Sequence, residues 1–88
     1  HYRLPKPKSQ LAEILYGLIT ENEISESDYR QNGFRSRLSD LRRMGLDIRD
    51  KWKEFRSKFG NHGKYKVRYL WKTQIPKAVK LYQEINKD

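Results

Sequence analysis

Two stretches decide the fold: FRSRLSDLRRMGLDI at residues 34–48 and KYKVRYLW at residues 64–71. In the first, Phe34, Leu38 and Leu41 recur at helical spacing and share one face, with Arg37 and Met44 beside it. Ser36, Ser39, Asp40 and Arg43 point the opposite way, flanked by Arg35 and Arg42. Gly45 then stands at the C′ position, where tolerance of positive φ ends a helix. In the second stretch Tyr65, Val67, Tyr69 and Trp71 alternate with Lys64, Lys66 and Arg68, the period of two of a strand. A basic helix followed by a basic hairpin suits a nucleic acid: the helix fits a groove and the hairpin lies along phosphates.

Working outward, Leu46, Ile48 and Trp52 share a parity and open a partner strand that runs to about residue 56. Residues 57–63 form a hairpin loop with two glycines. Upstream, Asn32-Gly33 is a turn signal, and residues 25–28 have the form of a capping box that starts a short helix over 26–31. Ser9 is the expected N-cap of a first helix over 10–21, with Leu11, Ile14, Leu15, Leu18 and Ile19 as its stripe. Gly17 inside that helix marks a close approach of another element. Residues 3–8 form an extended basic arm held open by two prolines. Pro76 sits in the first turn of a last helix with the stripe Ile75, Ala78, Val79, Tyr82 and Ile85. That stripe either docks on the first helix or joins a second copy, giving a homodimer through the C-terminal helix.

The 88 residues amount to one domain. Their net charge of +9 is unevenly spread. Residues 1–29 carry 3 Lys/Arg against 5 Asp/Glu, residues 30–68 carry 13 against 4, and residues 69–88 carry 4 against 2. All the excess therefore lies in the central segment, which a polyanionic partner would account for. Cysteine is absent, which rules out disulfides, thiolate metal sites and a cysteine nucleophile. No apolar run approaches the ~20 residues that span a bilayer, and no secretory signal pattern opens the chain. The start at His1 suggests a trimmed chain.

The order helix, helix, helix, strand, loop, strand, helix is that of an α+β winged helix-turn-helix: three helices, a two-stranded wing hairpin and an additional C-terminal helix. Residues 1–8 are then the arm, 9–72 the winged domain and 73–88 the last helix. The centre also resembles a helix-turn-helix family common in phage and prophage proteins, with the signature R-[IL]-S-x-L-R-x-x-G-x-x-I. It falls here on Arg37, Leu38, Ser39, Leu41, Arg42, Gly45 and Ile48, with Gly33 as the turn glycine. The resemblance covers about residues 11–71. The basic, aromatic hairpin loop and the helix from Ile75 depart from the family, so oligomeric state is not carried over.

In such a domain Arg35, Ser36, Ser39 and Arg43 are the expected base readers, since arginine pairs bidentately with guanine. Arg37 is either a further DNA contact or, being partly inward, an ion-pair partner of Asp40 or Asp47. Arg42 suits a phosphate. Asp40 orients an arginine or accepts from a cytosine amine. In the wing, Lys58, His62, Lys64 and Lys66 are expected on phosphates or in the minor groove, and roughly six engaged cations give a log–log salt slope of about −5. Arg3, Lys6 and Lys8 form a minor-groove arm or a solvated terminus. Tyr65, Tyr69, Trp71 and Trp52 are expected in the core, although the first three would also suit base stacking. Phe59 at the loop tip is the aromatic left for a partner. His1 and His62 lack ligand spacing, and no serine has a base partner, so no metal, cofactor or catalysis is expected.

The expected function is sequence-specific double-stranded DNA binding, by a phage-type transcriptional regulator or excisionase-like factor in the bacterial cytoplasm or nucleoid. No membrane or small-molecule substrate is expected. The alternatives are an inhibitor that binds an acidic host protein and an RNA or nonspecific nucleic-acid binder.

Overall fold

A computed structural model describes residues 4–21, 23–29 and 33–86. Helix α1 (Gln10–Thr20) begins at Ser9, whose hydroxyl accepts from the Ala12 amide at 3.1 Å. Strand β1 (Ile24–Ser25) and a single 3-10 turn (Glu26–Asp28) follow. Helix α2 (Phe34–Arg43) leads into a hairpin of β2 (Ile48–Arg56) and β3 (His62–Leu70). A second 3-10 turn (Lys72–Gln74) enters helix α3 (Ile75–Ile85), with proline in its first turn. The architecture is thus α+β: three helices and a three-stranded antiparallel sheet in the order β1-β3-β2. No described helix is long and apolar enough to cross a membrane.

Both ends of α2 are set by glycine. Gly33 (φ 95°) precedes it and Gly45 (φ 103°) follows it. At the C-terminus the Gly45 amide donates to the Arg42 carbonyl and the Leu46 amide to the Leu41 carbonyl, the paired bonds of a Schellman motif. Leu46 is buried by that reversal, and the Gly45 carbonyl accepts from Lys77 Nζ of α3 at 2.7 Å.

The core joins α1, α2, α3 and one end of the sheet. Ile14, Leu15 and Leu18 meet Phe34, Leu38, Leu41, Ile24, Ile48, Leu70, Ala78 and Tyr82. The stripe of α3 therefore packs on α1, where the Tyr16 and Tyr82 rings lie 5.8 Å apart. Segment 4–8 is tied to the same helix. Asn86 donates to the Lys6 carbonyl and accepts from the Lys8 amide, and the Tyr82 hydroxyl donates to the Pro5 carbonyl. Gly17 admits the close approach its position suggested, because the Tyr29 ring lies over it and stacks on Phe34.

Three expectations are corrected. The helix over 26–31 is a single 3-10 turn, and the end of that stretch lies outside the described residues. The Asp28 carboxylate does accept from the Ser25 amide, as a capping box requires, and it accepts from the Ser25 hydroxyl as well. Tyr29 then leaves helical geometry (φ −128°, ψ 77°), which lets its ring reach Gly17. Just before that turn, Ile24 is a strand residue paired with Arg68. The hairpin loop is five residues, 57–61, closed by the Ser57 amide on the Asn61 carbonyl.

The third correction is larger. The sheet turns Ile24, Ile48, Arg68 and Leu70 toward the helices, so the opposite parity of β3 faces outward. Tyr65 (40% exposed), Tyr69 and Trp71 (46%) stand on that outer face and are not core. Val67 is buried there, with Ser25 and Lys51 as its cross-strand neighbours. Trp52 has the inward parity yet is 64% exposed. The ladder from Ile48↔Leu70 to Arg56↔His62 runs about 27 Å, whereas an eleven-residue helix spans about 16 Å. The distal hairpin outruns the described helices, and the molecule measures 48 × 28 × 25 Å.

Candidate nucleic-acid interface

The buried triad Phe34, Leu38 and Leu41 fixes which way α2 faces. Its outward side presents Arg35, Ser36, Ser39 and Arg43, all exposed. Arg35 Nε donates to Glu26 Oε1 at 3.2 Å, a contact that aims the side chain across the 3-10 turn. Arg43 stands 3.8 Å from Asp40 Oδ1, and Arg37 NH1 lies 3.5 Å from Asp40 Oδ2. Asp40 thus steers two arginines. Arg37 is partly inward, with its Nε buried and without a hydrogen-bond partner among the described residues.

Arg42 is committed to the scaffold. Its Nε and NH2 donate to the Ile48 carbonyl at 3.2 and 3.0 Å, and NH2 donates to Asp50 Oδ1 at 3.2 Å. This clasp holds the end of α2 against the start of β2. Asp50 also meets Arg68 Nε at 3.1 Å and Lys66 Nζ at 3.5 Å. Arg68 is buried, and a buried cation needs such a partner to offset desolvation. One carboxylate therefore gathers three cations that a charge count would assign to a ligand.

Between α2 and the hairpin lies an open cleft of about 560 Å³. Arg35, Ser39 and Arg42 line one wall, Trp52, Lys66 and Arg68 the other, with Asp50 between them. Lys66 Nζ also lies 5.8 Å from the centre of the Trp52 ring. Farther out, Lys58, His62 and Lys64 are all exposed along the projecting hairpin. Its tip is a tight turn closed by the Gly60 amide on the Ser57 carbonyl, with Gly60 at φ 79°. The Ser57 hydroxyl accepts from the Phe59 and Asn61 amides, which leaves the Phe59 ring 90% exposed at the extremity.

Of the arm, Lys6 and Lys8 are exposed but their backbone is held against α3, and Arg3 lies outside the described residues. The expected site residues thus fall into two groups. Arg35, Ser36, Ser39, Arg43, Lys58, His62 and Lys64 stand open on α2 and the hairpin. Arg37, Arg42 and Lys66 are at least partly engaged by carboxylates of the protein itself.

The sequence reading placed Tyr65, Tyr69 and Trp71 in the core and kept base stacking only as their alternative use, whereas they line the outer sheet face. Arg49 and Lys51 of β2 lie beside Trp71 and Tyr69, at 4.9 and 5.2 Å from the ring centres. Glu23 accepts from Lys51 Nζ at 2.6 Å and from Lys53, and these two hydrogen bonds hold its carboxyl below the usual range. Phe55 covers Gly63 directly across the ladder. The alternation of cations and aromatics was visible, but not the side of the sheet to which each belonged.

No family model matches the chain, and no curated protein or solved structure does either.

Proposed function

We propose that the protein is a sequence-specific double-stranded DNA-binding domain, a winged helix-turn-helix of the phage regulator or excisionase kind. In this reading α2 enters the major groove and the hairpin lies on the backbone. The observation that carries it is the division of α2 into a fully buried apolar face and an open polar face of Arg35, Ser36, Ser39 and Arg43. The glycine-set ends and the Arg42 clasp hold that face at a fixed angle to the hairpin. A helix presented in this way reaches base edges with its arginines and serines, while hairpin lysines contribute affinity without sequence preference.

The order helix, short strand, turn, helix, two-stranded hairpin also supports the winged reading, with the 3-10 turn standing where the first helix of the helix-turn-helix pair belongs. The resemblance of residues 37–48 to the phage signature supports the class. The test is a salt-titrated mobility shift on duplexes selected from a random pool. Binding at least tenfold tighter than to random duplex is expected. Among the expected contacts four Lys/Arg cations, Arg35, Arg43, Lys58 and Lys64, are not spent internally, so a log–log salt slope nearer −4 than −8 is expected. Equal binding to every duplex would overturn the reading.

A further inference from the structure

The groove reading leaves the outer face of the sheet without a role. On β3 this face carries Tyr65 and Tyr69, with Trp71 just beyond the strand, and on β2 it carries Arg49, Lys51 and Lys53. Residues two apart on one strand are separated by about 7 Å, so Tyr69 and Trp71 are successive rungs, Tyr65 stands farther along beyond Val67, and the cations form a parallel rail on the neighbouring strand. Tyr69 and Trp71 contact edge to face at 6.1 Å, and the cation–π contacts hold the rail close beside the ladder. Lys72, in the turn just past Trp71, borders the same groove as Lys51, Tyr69 and Trp71. With Arg49, Lys51 and Lys53 it sets four cations against the carboxylates of Glu23 and Asp47, so the face stays positive.

The exposed Trp71 and the half-buried Tyr69 offer aromatic surface to a flat apolar partner, and the adjoining cations suit an anion. An unpaired polynucleotide strand offers both at a regular spacing, because every base has a free π-face and every sugar step a phosphate. A duplex hides its base faces. The face also continues past Tyr69 and Trp71 into a mostly apolar groove of about 390 Å³, bordered by Leu18, Ile19 and Ile75, which has room for a base at the end of the ladder.

We propose that the outer sheet face binds an unpaired polynucleotide strand, with bases stacked on Tyr69 and Trp71 and phosphates on Arg49, Lys51 and Lys72. Stacking and phosphate contacts do not see the 2′-hydroxyl, so DNA and RNA strands bind alike. The proposal is independent of the groove reading, because it uses no residue of α2.

The test is fluorescence anisotropy of the full chain with labelled oligothymidylate and oligouridylate of about 12 nucleotides. Both are expected to bind with strong salt dependence. Tyr69→Ala and Trp71→Ala are each expected to weaken binding about tenfold, while Trp71→Phe retains most of the affinity. In a Trp52→Phe background Trp71 is the sole tryptophan, and its emission should be quenched by either oligonucleotide. Unquenched Trp71, or parental affinity in a folded Tyr69→Ala/Trp71→Ala variant, would overturn the proposal. So would a large preference for one sugar. Failure of the groove reading shows separately, in the duplex experiments alone.

Discussion

Replacing Asp50 by alanine gives the most quantitative test of the scaffold. Asp50 serves Arg42, Lys66 and Arg68 at once, and of these only Arg68 is buried, its side chain 9% exposed. Removing one partner of a fully buried pair costs about 3–5 kcal/mol, because the remaining charge is stranded. The Asp50 side chain is itself 33% exposed, and water then screens part of the pair, which lowers the expected loss to about 2–3 kcal/mol. A domain of this size has about 4–13 kcal/mol to lose. With a urea m-value near 1 kcal/mol/M, the unfolding midpoint should fall by about 2–3 M. Arg68→Met should cost less than about 1 kcal/mol, since Asp50 keeps Arg42 and Lys66 and an apolar side chain replaces a buried cation. The double variant Asp50→Ala/Arg68→Met should regain at least half of the Asp50→Ala loss. Equal losses from the two single variants, with no recovery in the double, would refute the view that Asp50 stabilises by compensating Arg68.

Three further outcomes are expected. Gly17→Ala should destabilise by about 1–3 kcal/mol in urea melts although alanine favours helix, because its methyl would fall 1.8 Å from the Tyr29 hydroxyl; adding Tyr29→Phe should recover part of the loss. Burial, reinforced by Glu21, Asp28 and Glu13, pushes the Tyr29 hydroxyl up to about 12 from its ordinary 10. A raised folded-state value favours the fold below the unfolded value, so the contribution of Tyr29 should be intact up to about pH 10 and disappear between about 10 and 12; Tyr29→Phe should flatten stability over that window in alkaline melts. Glu23→Gln removes the carboxylate that Lys51 and Lys53 share, and it should tighten oligothymidylate binding severalfold at low salt by releasing both cations.

Much of α2 was legible because its determinants are local. Phe34, Leu38 and Leu41 declare the buried face by spacing, and Gly33 and Gly45 declare its ends because few other residues adopt their backbone angles. The strands β2 and β3 were legible for the same reason. The inward face of the hairpin was not. Alternation shows that two faces differ, and the choice between them depends on the pairing of Ile48 with Leu70 and of Ile24 with Arg68, contacts between residues far apart in sequence. The aromatic parity looked like the buried one because Tyr and Trp carry so much apolar area. The polar-looking parity goes inward because Asp50 lies across the ladder from Arg68 and neutralises it. Strand β1 escaped notice because two residues show no periodicity. Similarly, net charge counts Arg42, Lys66 and Arg68 as free for a ligand, and only the fold reveals that they converge on one carboxylate.

The most direct test of the central claim compares two single variants on a selected duplex and on a scrambled one. Arg43 stands on the open face of α2 and Lys64 on the projecting hairpin, and both are exposed. If α2 reads bases, Arg43→Ala should reduce the ratio of selected to scrambled affinity by about 1–3 kcal/mol, while Lys64→Ala should weaken both duplexes alike and lower the salt slope by about one. Equal, uniform losses from the two variants would contradict it.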